Sequence, residues 1–416
     1  MSRRRVVVTG IGIVCGLGVG REDVWRNAVA GTPAGASIAG TDIGDAPVQM
    51  ACPARDFVVE DFVDRRLARR ADRVTHFALA AGQLALADAG LEISDQGRDV
   101  GCILGTGTGG NRVRDENHTV MLERGVDRIS PFAIPYSMCN HPPAEVAMQL
   151  GLRGPTMAMV TACAAGTDAL GTSAAVIRRG DAEVMLAGGT DAMITPLWIA
   201  AFDAMRVLSH HQQDPAGAAR PFDVSRDGFL IGEGAAILVL EELAYATARG
   251  AAIICEIAGY GASADAFHIT DPDPTGQSQA RAMRAAIQDA GITPSEIGYV
   301  NAHGGGSRAG DPSEVAALRQ VLGEAHAAET AVSATKSMHG HCMGATGAIE
   351  SALTALAVAD GRIPPTINLR ELDPTCAGVD HVTDTMREVR LRAALTTNNG
   401  LGGHNAALVL TPWEGR

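Results

Sequence analysis

Short apolar runs recur along the chain, separated by longer stretches rich in alanine and other small residues. Runs at Arg5–Val8, Val100–Leu104, Met157–Val160, Val184–Ala187, Ala236–Leu240, Ile297–Val300 and Ala407–Leu410 have strand length, and a short run with apolar residues at nearly every position suits a strand buried on both faces. The stretches Thr75–Ala89, Thr167–Arg179, Gln277–Ala290, Pro312–Leu322 and Ala345–Ala359 are long enough for helices and rich in helix-forming residues. Alternation of this kind predicts an α/β fold with buried sheets.

The pattern repeats once. An apolar strand runs to Thr161-Ala162-Cys163-Ala164-Ala165-Gly166, and a small-residue helix then ends at Arg178-Arg179-Gly180. Further on, Val332-Ser333 leads through Lys336-Ser337-Met338-His339-Gly340-His341 to Gly344-Ala345-Thr346-Gly347, and a second small-residue helix ends at Asp360-Gly361. Each half closes on a strand beside a glycine pair, with Gly188-Gly189 expected after the strand and Gly402-Gly403 before it. We read two related halves, residues 1–258 and 259–416, facing each other across one site. The period is too long for a solenoid.

Composition narrows the function. The 416 residues are 46% hydrophobic and 19% charged, with 49 glycines and 4% aromatics; this suits closely packed layers. A net charge of −13 argues against nucleic acid as a general partner. No run is long enough to span a bilayer. The basic start ahead of Val6-Val7-Val8 is broken by Gly10 and Gly12 and lacks a small-residue cleavage site, so it reads as a buried strand of a cytoplasmic protein. The eight cysteines form no C-x-x-C pair, and reduced core thiols are the default.

Cys163 stands apart because it sits where a strand ends and a helix begins, among Ala162, Ala164, Ala165 and Gly166. Small neighbours permit a sharp turn. The free amides of the helix start are expected to lower the thiol pKa and to hold an oxyanion when a thioester is attacked. Placement alone does not separate this reading from a core cysteine. Two further loops shift the balance. Asn301-Ala302-His303-Gly304 follows the strand Ile297–Val300, at the carboxyl edge where α/β sheets bind ligands. Lys336-Ser337-Met338-His339-Gly340-His341-Cys342 also lies between a strand and a helix.

A metal site is not expected. His339, His341 and Cys342 are ligand types, but a tight glycine turn does not make them converge, and no second pair completes a tetrahedral set. The run Gly105-Thr106-Gly107-Thr108-Gly109-Gly110 has no lysine after it and no acidic ribose partner at the expected distance. It reads as a turn packed close to the site.

Together, Thr161–Gly166, Asn301–Gly304, Lys336–His341 and Asn399-Gly400-Leu401-Gly402-Gly403 resemble the β-ketoacyl-[acyl-carrier-protein] synthases of fatty acid and type II polyketide synthesis. Arg220-Pro221-Phe222-Asp223, Arg226-Asp227-Gly228-Phe229 and Pro364–Leu369 extend the resemblance over nearly the whole chain. It implies a thiolase-like fold, two duplicated halves in a five-layered αβαβα arrangement. It also implies roles. Cys163 would hold the acyl chain as a thioester. His303 and His341 would stabilise the enolate formed as a malonyl thioester loses carbon dioxide. The amides of Cys163 and Leu401 would form an oxyanion hole, and Lys336 would orient the site through Glu314, with Asp311 in support. No metal or organic cofactor would be needed, since substrates arrive on the phosphopantetheine of an acyl carrier protein.

This sequence departs from the fatty acid enzymes at Gly305, Gly306, Leu401 and His404. Ser307 and Thr270 would supply the remaining pantetheine hydroxyls, and Phe202 and Thr108 would line the acyl tunnel. Asp191–Pro196 and Ala201–Met205 look closer to polyketide ketosynthase subunits. The expected function is therefore decarboxylative condensation in a polyketide or polyene pathway. Fatty acid elongation is the alternative, and a non-elongating acyltransferase or a scaffold subunit is the more distant one. Arg65, Arg66, Arg69 and Arg70, with Arg206, would dock the acidic carrier protein. The resemblance further implies a homodimer, or a heterodimer with a chain-length factor.

Overall fold

Period-2 alternation along buried strands decides how the layers form. In the computed structural model, which describes residues 3–93 and 100–415, the first half contains strands β1 (Val6–Cys15), β2 (Val100–Gly105), β3 (Thr156–Met159), β4 (Val184–Ala192) and β5 (Glu233–Glu242). The second contains β6 (Cys255–Ala264), β7 (Ile297–Asn301), β8 (Ala331–Ser333), β9 (Ala393–Gly400) and β10 (His404–Pro412). Along β5, Ala235, Ile237 and Val239 join an outer core, while Ala236, Leu238 and Leu240 join a central one. Along β10, Ala407 and Val409 face the other outer core, and Leu408 and Leu410 face the same central one. Successive side chains of a strand point to opposite faces, so each sheet is apolar on both sides and needs helices on both.

Those helices are α1 (Arg65–Ala68), α2 (Arg73–Ala89), α3 (His141–Leu150), α4 (Ala165–Arg179), α5 (Pro196–Ala204), α6 (Gln277–Ala290), α7 (Gly310–Leu322), α8 (Lys336–His339) and α9 (Thr346–Asp360). Helix α2 covers the first sheet from outside, and α6 and α7 cover the second. Helices α4 and α9 lie between the sheets. The result is five layers.

Pairing in the halves corresponds strand for strand. In the first, β1–β5 and β5–β4 are antiparallel, and β4–β2 and β2–β3 are parallel. In the second, β6–β10 and β10–β9 are antiparallel, and β9–β7 and β7–β8 are parallel. The sheets join where Val7 and Val8 of β1 pair with Glu256 and Cys255 of β6. Close approach of the outer helices is matched too. A Cβ on Gly12 would lie 2.0 Å from the Ala81 carbonyl oxygen of α2, and one on Gly261 would lie 2.2 Å from the Ala282 carbonyl oxygen of α6.

Two expectations are corrected. The expected boundary places residues 258 and 259 at an edge, whereas both lie inside β6, whose ladder with β10 begins at Cys255. Gly188 and Gly189 lie inside β4 rather than after it. A Cβ on Gly189 would be 2.5 Å from the Gly344 carbonyl oxygen, so the missing side chain lets the second half's turn lie against this strand.

Candidate active site

After β3 the chain makes a short 3-10 turn, Ala162–Ala164, before entering α4. Ala162 takes φ 52°, a left-handed conformation that costs an alanine energy, and the turn puts Cys163 at its apex. The second half repeats the device. Met343, at φ 47°, opens the 3-10 turn Met343–Ala345 before α9. The two turns pack against each other, and a cavity of about 140 Å³ opens over the first. Cys163, His303, His341, Leu401, Phe202 and Phe229 are among the residues that line it.

His303 sits on the loop at the carboxyl end of β7. Its amide and that of Gly304 donate to the two carboxylate oxygens of buried Glu314, at 2.7 and 2.8 Å, and the Thr397 hydroxyl donates to the same group at 2.6 Å. Glu314 therefore holds the loop, but it is not the partner of Lys336. The Lys336 ammonium pairs with Glu350 of α9 at 2.6 Å and also donates to the His303 carbonyl. The expected link through Glu314 is replaced by Glu350, whose second oxygen accepts from the Asn398 amide at 2.6 Å. Burial pushes the Glu350 carboxyl up to about 7, against the pull of the Lys336 charge. Glu350, Asn398 and Thr397 escaped sequence reading. The available signal was Glu350, a carboxylate in the interior of the small-residue helix α9, since a buried charge requires a partner.

The imidazoles are set as hydrogen-bond donors. The Met343 amide donates to His341 Nδ1 at 3.0 Å, with the Thr346 hydroxyl at 3.1 Å from the same nitrogen. A backbone N–H cannot accept, so Nδ1 is bare and the proton resides on Nε2. For His303, Nδ1 faces the Lys336 ammonium at 3.3 Å and the Asn399 amide at 3.4 Å, which again leaves the proton on Nε2. Burial, with the Lys336 charge second, holds both rings well below the ordinary histidine pKa. They are neutral, with ring centroids 5.4 Å apart and planes nearly perpendicular. Two neutral N–H donors on one cavity suit an oxygen that gains negative charge.

The thiol does not behave as the helix start suggested. The amides of Leu401 and of Cys163 itself, and the Lys336 charge, all act to lower its pKa, but burial outweighs them and pushes it up to about 11. A helix terminus is worth only about 0.3–1 kcal/mol at an exposed site, less than the desolvation of a buried thiolate. Alkylation of Cys163 by iodoacetamide should accordingly rise about tenfold per pH unit up to pH 9. A rate that levels off below pH 8 contradicts this assignment. The same two amides converge beside the sulfur, and a Cβ on Gly400 would lie 3.1 Å from the Cys163 nitrogen.

The other expected residues divide. Asp311 accepts from the Gly306 and Ser307 amides at 3.0 and 3.3 Å and so shapes the loop after His303. Ser307 and Thr270 line the cavity, the latter at its exposed mouth, and Phe202 lines its apolar side. The Ser307 oxygen accepts from the Gly310 amide at 2.9 Å, leaving its proton free. Thr108 is not brought into this cavity; it binds Asn111 instead. Arg206 is exposed between Met205 and Val207, which both line the cavity. Arg65, Arg66, Arg69 and Arg70 are exposed on and after α1, and none lines the cavity. His339 turns to the Thr335 hydroxyl at 3.1 Å.

Comparison with known proteins adds a frame. The family models described as β-ketoacyl synthase, N-terminal domain, and β-ketoacyl synthase, C-terminal domain, match residues 3–246 and 254–370. The chain is 42% identical over 415 residues to a 3-oxoacyl-[acyl-carrier-protein] synthase 2 of Synechocystis sp., covering 100% of this chain and 99% of that protein. A protein of the same name from Staphylococcus aureus is 42% identical over 414 residues, covering 99% of each. Among solved structures, the ishigamide ketosynthase/chain length factor superposes with a TM-score of 0.92 at 35% identity, covering 99% of this chain and 100% of that one. A type II polyketide ketosynthase, bound to a hexaketide and to its acyl-carrier protein, gives 0.91 at 32% identity, with coverage of 99% and 100%.

Proposed function

This chain belongs to the β-ketoacyl synthase family, with its thiolase-like fold of duplicated halves, and on that premise we propose how its residues divide the condensation. Cys163 Sγ attacks the carbonyl of an acyl thioester delivered by a carrier protein. The new oxyanion is met by the amides of Cys163 and Leu401, the carrier sulfur leaves, and it takes the thiol proton. A malonyl thioester then places its carbonyl oxygen against Nε2–H of His303 and His341. Its carboxylate carbon–carbon bond breaks, carbon dioxide leaves, and the electron pair rests in an enolate held by the two imidazoles. The enolate carbon attacks the acyl-Cys163 carbonyl, the amides hold the second oxyanion, and Cys163 leaves with the electrons of its C–S bond. The product is a β-ketoacyl thioester. Loss of carbon dioxide drives the step, so the chemistry requires no added cofactor.

The observation that carries this reading is the pair of neutral, Nε2-protonated imidazoles facing the same cavity as Cys163. Between pathways, Gly305, Gly306 and Leu401 favour a polyketide or polyene substrate, because they remove bulk and hydroxyls from the pantetheine side. Identity of 42% to proteins named 3-oxoacyl-[acyl-carrier-protein] synthase 2 supports fatty acid elongation as the second reading.

Partners follow from surface chemistry. Strand β3 is a sheet edge; Met157 within it and Val160 just after it are 41% and 50% exposed, and large apolar residues of the preceding segment such as Leu122, Ile134 and Met148 are exposed too. Exposed apolar edges of this kind mark association sites. We assign this face to a second copy or to a chain-length factor. The glycine loop that carries Thr108 packs on Tyr136 and Cys139 of the same region, so Thr108 belongs to that interface. The exposed arginines 65, 66, 69, 70 and 206 are assigned to the acidic carrier. Among the described residues, no helix is long and apolar enough to cross a membrane.

The test is product formation from acyl- and malonyl-carrier proteins, alone and with a candidate partner subunit. β-Ketoacyl carrier made by the enzyme alone supports a self-sufficient homodimer, and product that needs the partner supports the heterodimer. Turnover of oxygenated or polyene acyl carriers above saturated ones decides for the polyketide pathway. Acyl transfer with no carbon dioxide release rules the condensation out.

A further inference from the structure

Asp191 is a fully buried carboxylate in β4, outside the cavity lining, and nothing in the steps above uses it. Its Oδ2 accepts from the Gly344 amide at 2.6 Å and the Gly107 amide at 2.7 Å, and its Oδ1 from the Thr106 hydroxyl at 3.0 Å. These partners come from different halves: Thr106 and Gly107 follow β2, and Gly344 belongs to the turn that opens α9. The site is built to this shape. A Cβ on Gly344 would lie 2.4 Å from the Gly107 nitrogen and 2.7 Å from Asp191 Oδ2.

The turn it grips is the strained one that sets His341. Met343, at φ 47°, donates its own amide to His341 Nδ1, and the next amide along, that of Gly344, goes to Asp191. Both peptides flanking the left-handed residue are thereby pinned, one on the imidazole and one on the carboxylate. We infer that Asp191 is a positioning residue for the condensation: by anchoring Gly344 it holds the Met343 amide against His341 Nδ1 and so keeps the His341 proton on Nε2, where the enolate needs it. Without that anchor the turn can relax toward ordinary φ, the Met343 amide leaves Nδ1, and the ring is free to adopt the other tautomer, whose Nε2 accepts rather than donates. The Asp191 charge also opposes thiolate formation at Cys163, so its removal acts on the nucleophile in the opposite direction.

This inference rests on the ketosynthase reading, and the experiment separates the two. In Asp191→Asn the carboxylate's volume is kept, but an NH₂ group replaces one acceptor oxygen. Displacement of a catalytic group by about 1 Å can cost about 10²-fold. We expect condensation kcat to fall about 10–100-fold with KM for malonyl carrier within about threefold, while iodoacetamide alkylation of Cys163 is as fast as in wild type or faster. Nitrogen-15 NMR of histidine-labelled protein should show the His341 signal move from the Nε2–H tautomer toward a mixture. Thr106→Val removes the Oδ1 anchor, together with the acceptor of the Gly109 amide, and should show the same split in smaller measure, which keeps the test informative if Asp191→Asn does not fold. Equal losses in alkylation and condensation, or an unchanged His341 tautomer in a folded variant with reduced kcat, overturn the inference. If wild type itself neither acylates nor decarboxylates, the ketosynthase reading fails first.

Discussion

Replacing His341 by alanine should leave Cys163 able to take an acyl group while lowering condensation by about 10²–10³-fold, the usual cost of losing one oxyanion donor. The argument lies in where charge develops. Acylation places negative charge on an oxygen held by the Leu401 and Cys163 amides, which the variant keeps. Decarboxylation places it on the malonyl thioester oxygen, which loses one of two N–H donors. His303→Ala should show the same split. The double variant should cost much less than the product of the two single losses, because the donors act on one oxygen. Acyl-enzyme formation is read by mass spectrometry and decarboxylation by labelled carbon dioxide. Equal loss of both steps in His341→Ala contradicts this division of labour.

Lys336→Met should damage both stability and activity, and the two should separate in a second variant. Lys336 and Glu350 are essentially inaccessible and 2.6 Å apart. Removing one partner of a buried pair costs about 3–5 kcal/mol, because the other charge is left uncompensated. Glu350 can escape by taking a proton, since burial already pushes its carboxyl up to about 7 and the loss of Lys336 raises it further. The sign follows: the folded variant binds this proton more tightly than the unfolded chain, so its stability falls as pH rises above the ordinary carboxyl range. The deficit against wild type should therefore be smaller at pH 5 than at pH 8 in urea unfolding. Lys336→Met/Glu350→Gln removes both charges and should recover most of the stability. It should not recover condensation, because the His303 carbonyl and Nδ1 have lost their cation. A deficit independent of pH, or a double variant as unstable as the single one, would falsify this account of the pair.

Much of this architecture was legible because buried strands write themselves as apolar runs. Val184–Ala187 and Ala236–Leu240 had to be strands of a sheet covered on both faces. Strands β6 and β9 were not legible, since Cys-Glu-Ile-Ala-Gly-Tyr-Gly-Ala-Ser-Ala and Ala-Ala-Leu-Thr-Thr-Asn-Asn-Gly carry small and polar residues. In β6 the glycines make room for α6; in β9 the polar residues serve the site, Thr397 binding Glu314 and Asn398 binding Glu350. The site was readable where chemistry sits on loops at strand ends, as with Cys163, His303 and His341. It was not readable where a partner lies far along the chain. The Glu350 carboxylate comes from within α9, and only the packing of that helix between the sheets brings it to Lys336. The direction of the Cys163 pKa failed for the same reason, since the local turn predicts lowering and tertiary burial reverses it. The run Asp191–Pro196 carries no local sign of what Asp191 holds, because its partners Gly107 and Gly344 are remote in sequence.

The most direct test of the central claim is intact-protein and peptide mass spectrometry after mixing the enzyme with an acyl-carrier protein and then adding malonyl-carrier protein. The account predicts one acyl mass on the Cys163 peptide, absent in Cys163→Ala. It also predicts that the mass is discharged when malonyl carrier arrives, with β-ketoacyl carrier and carbon dioxide formed together. A Cys163 that stays bare with every acyl carrier and partner subunit, or an acyl mass on another residue, contradicts it.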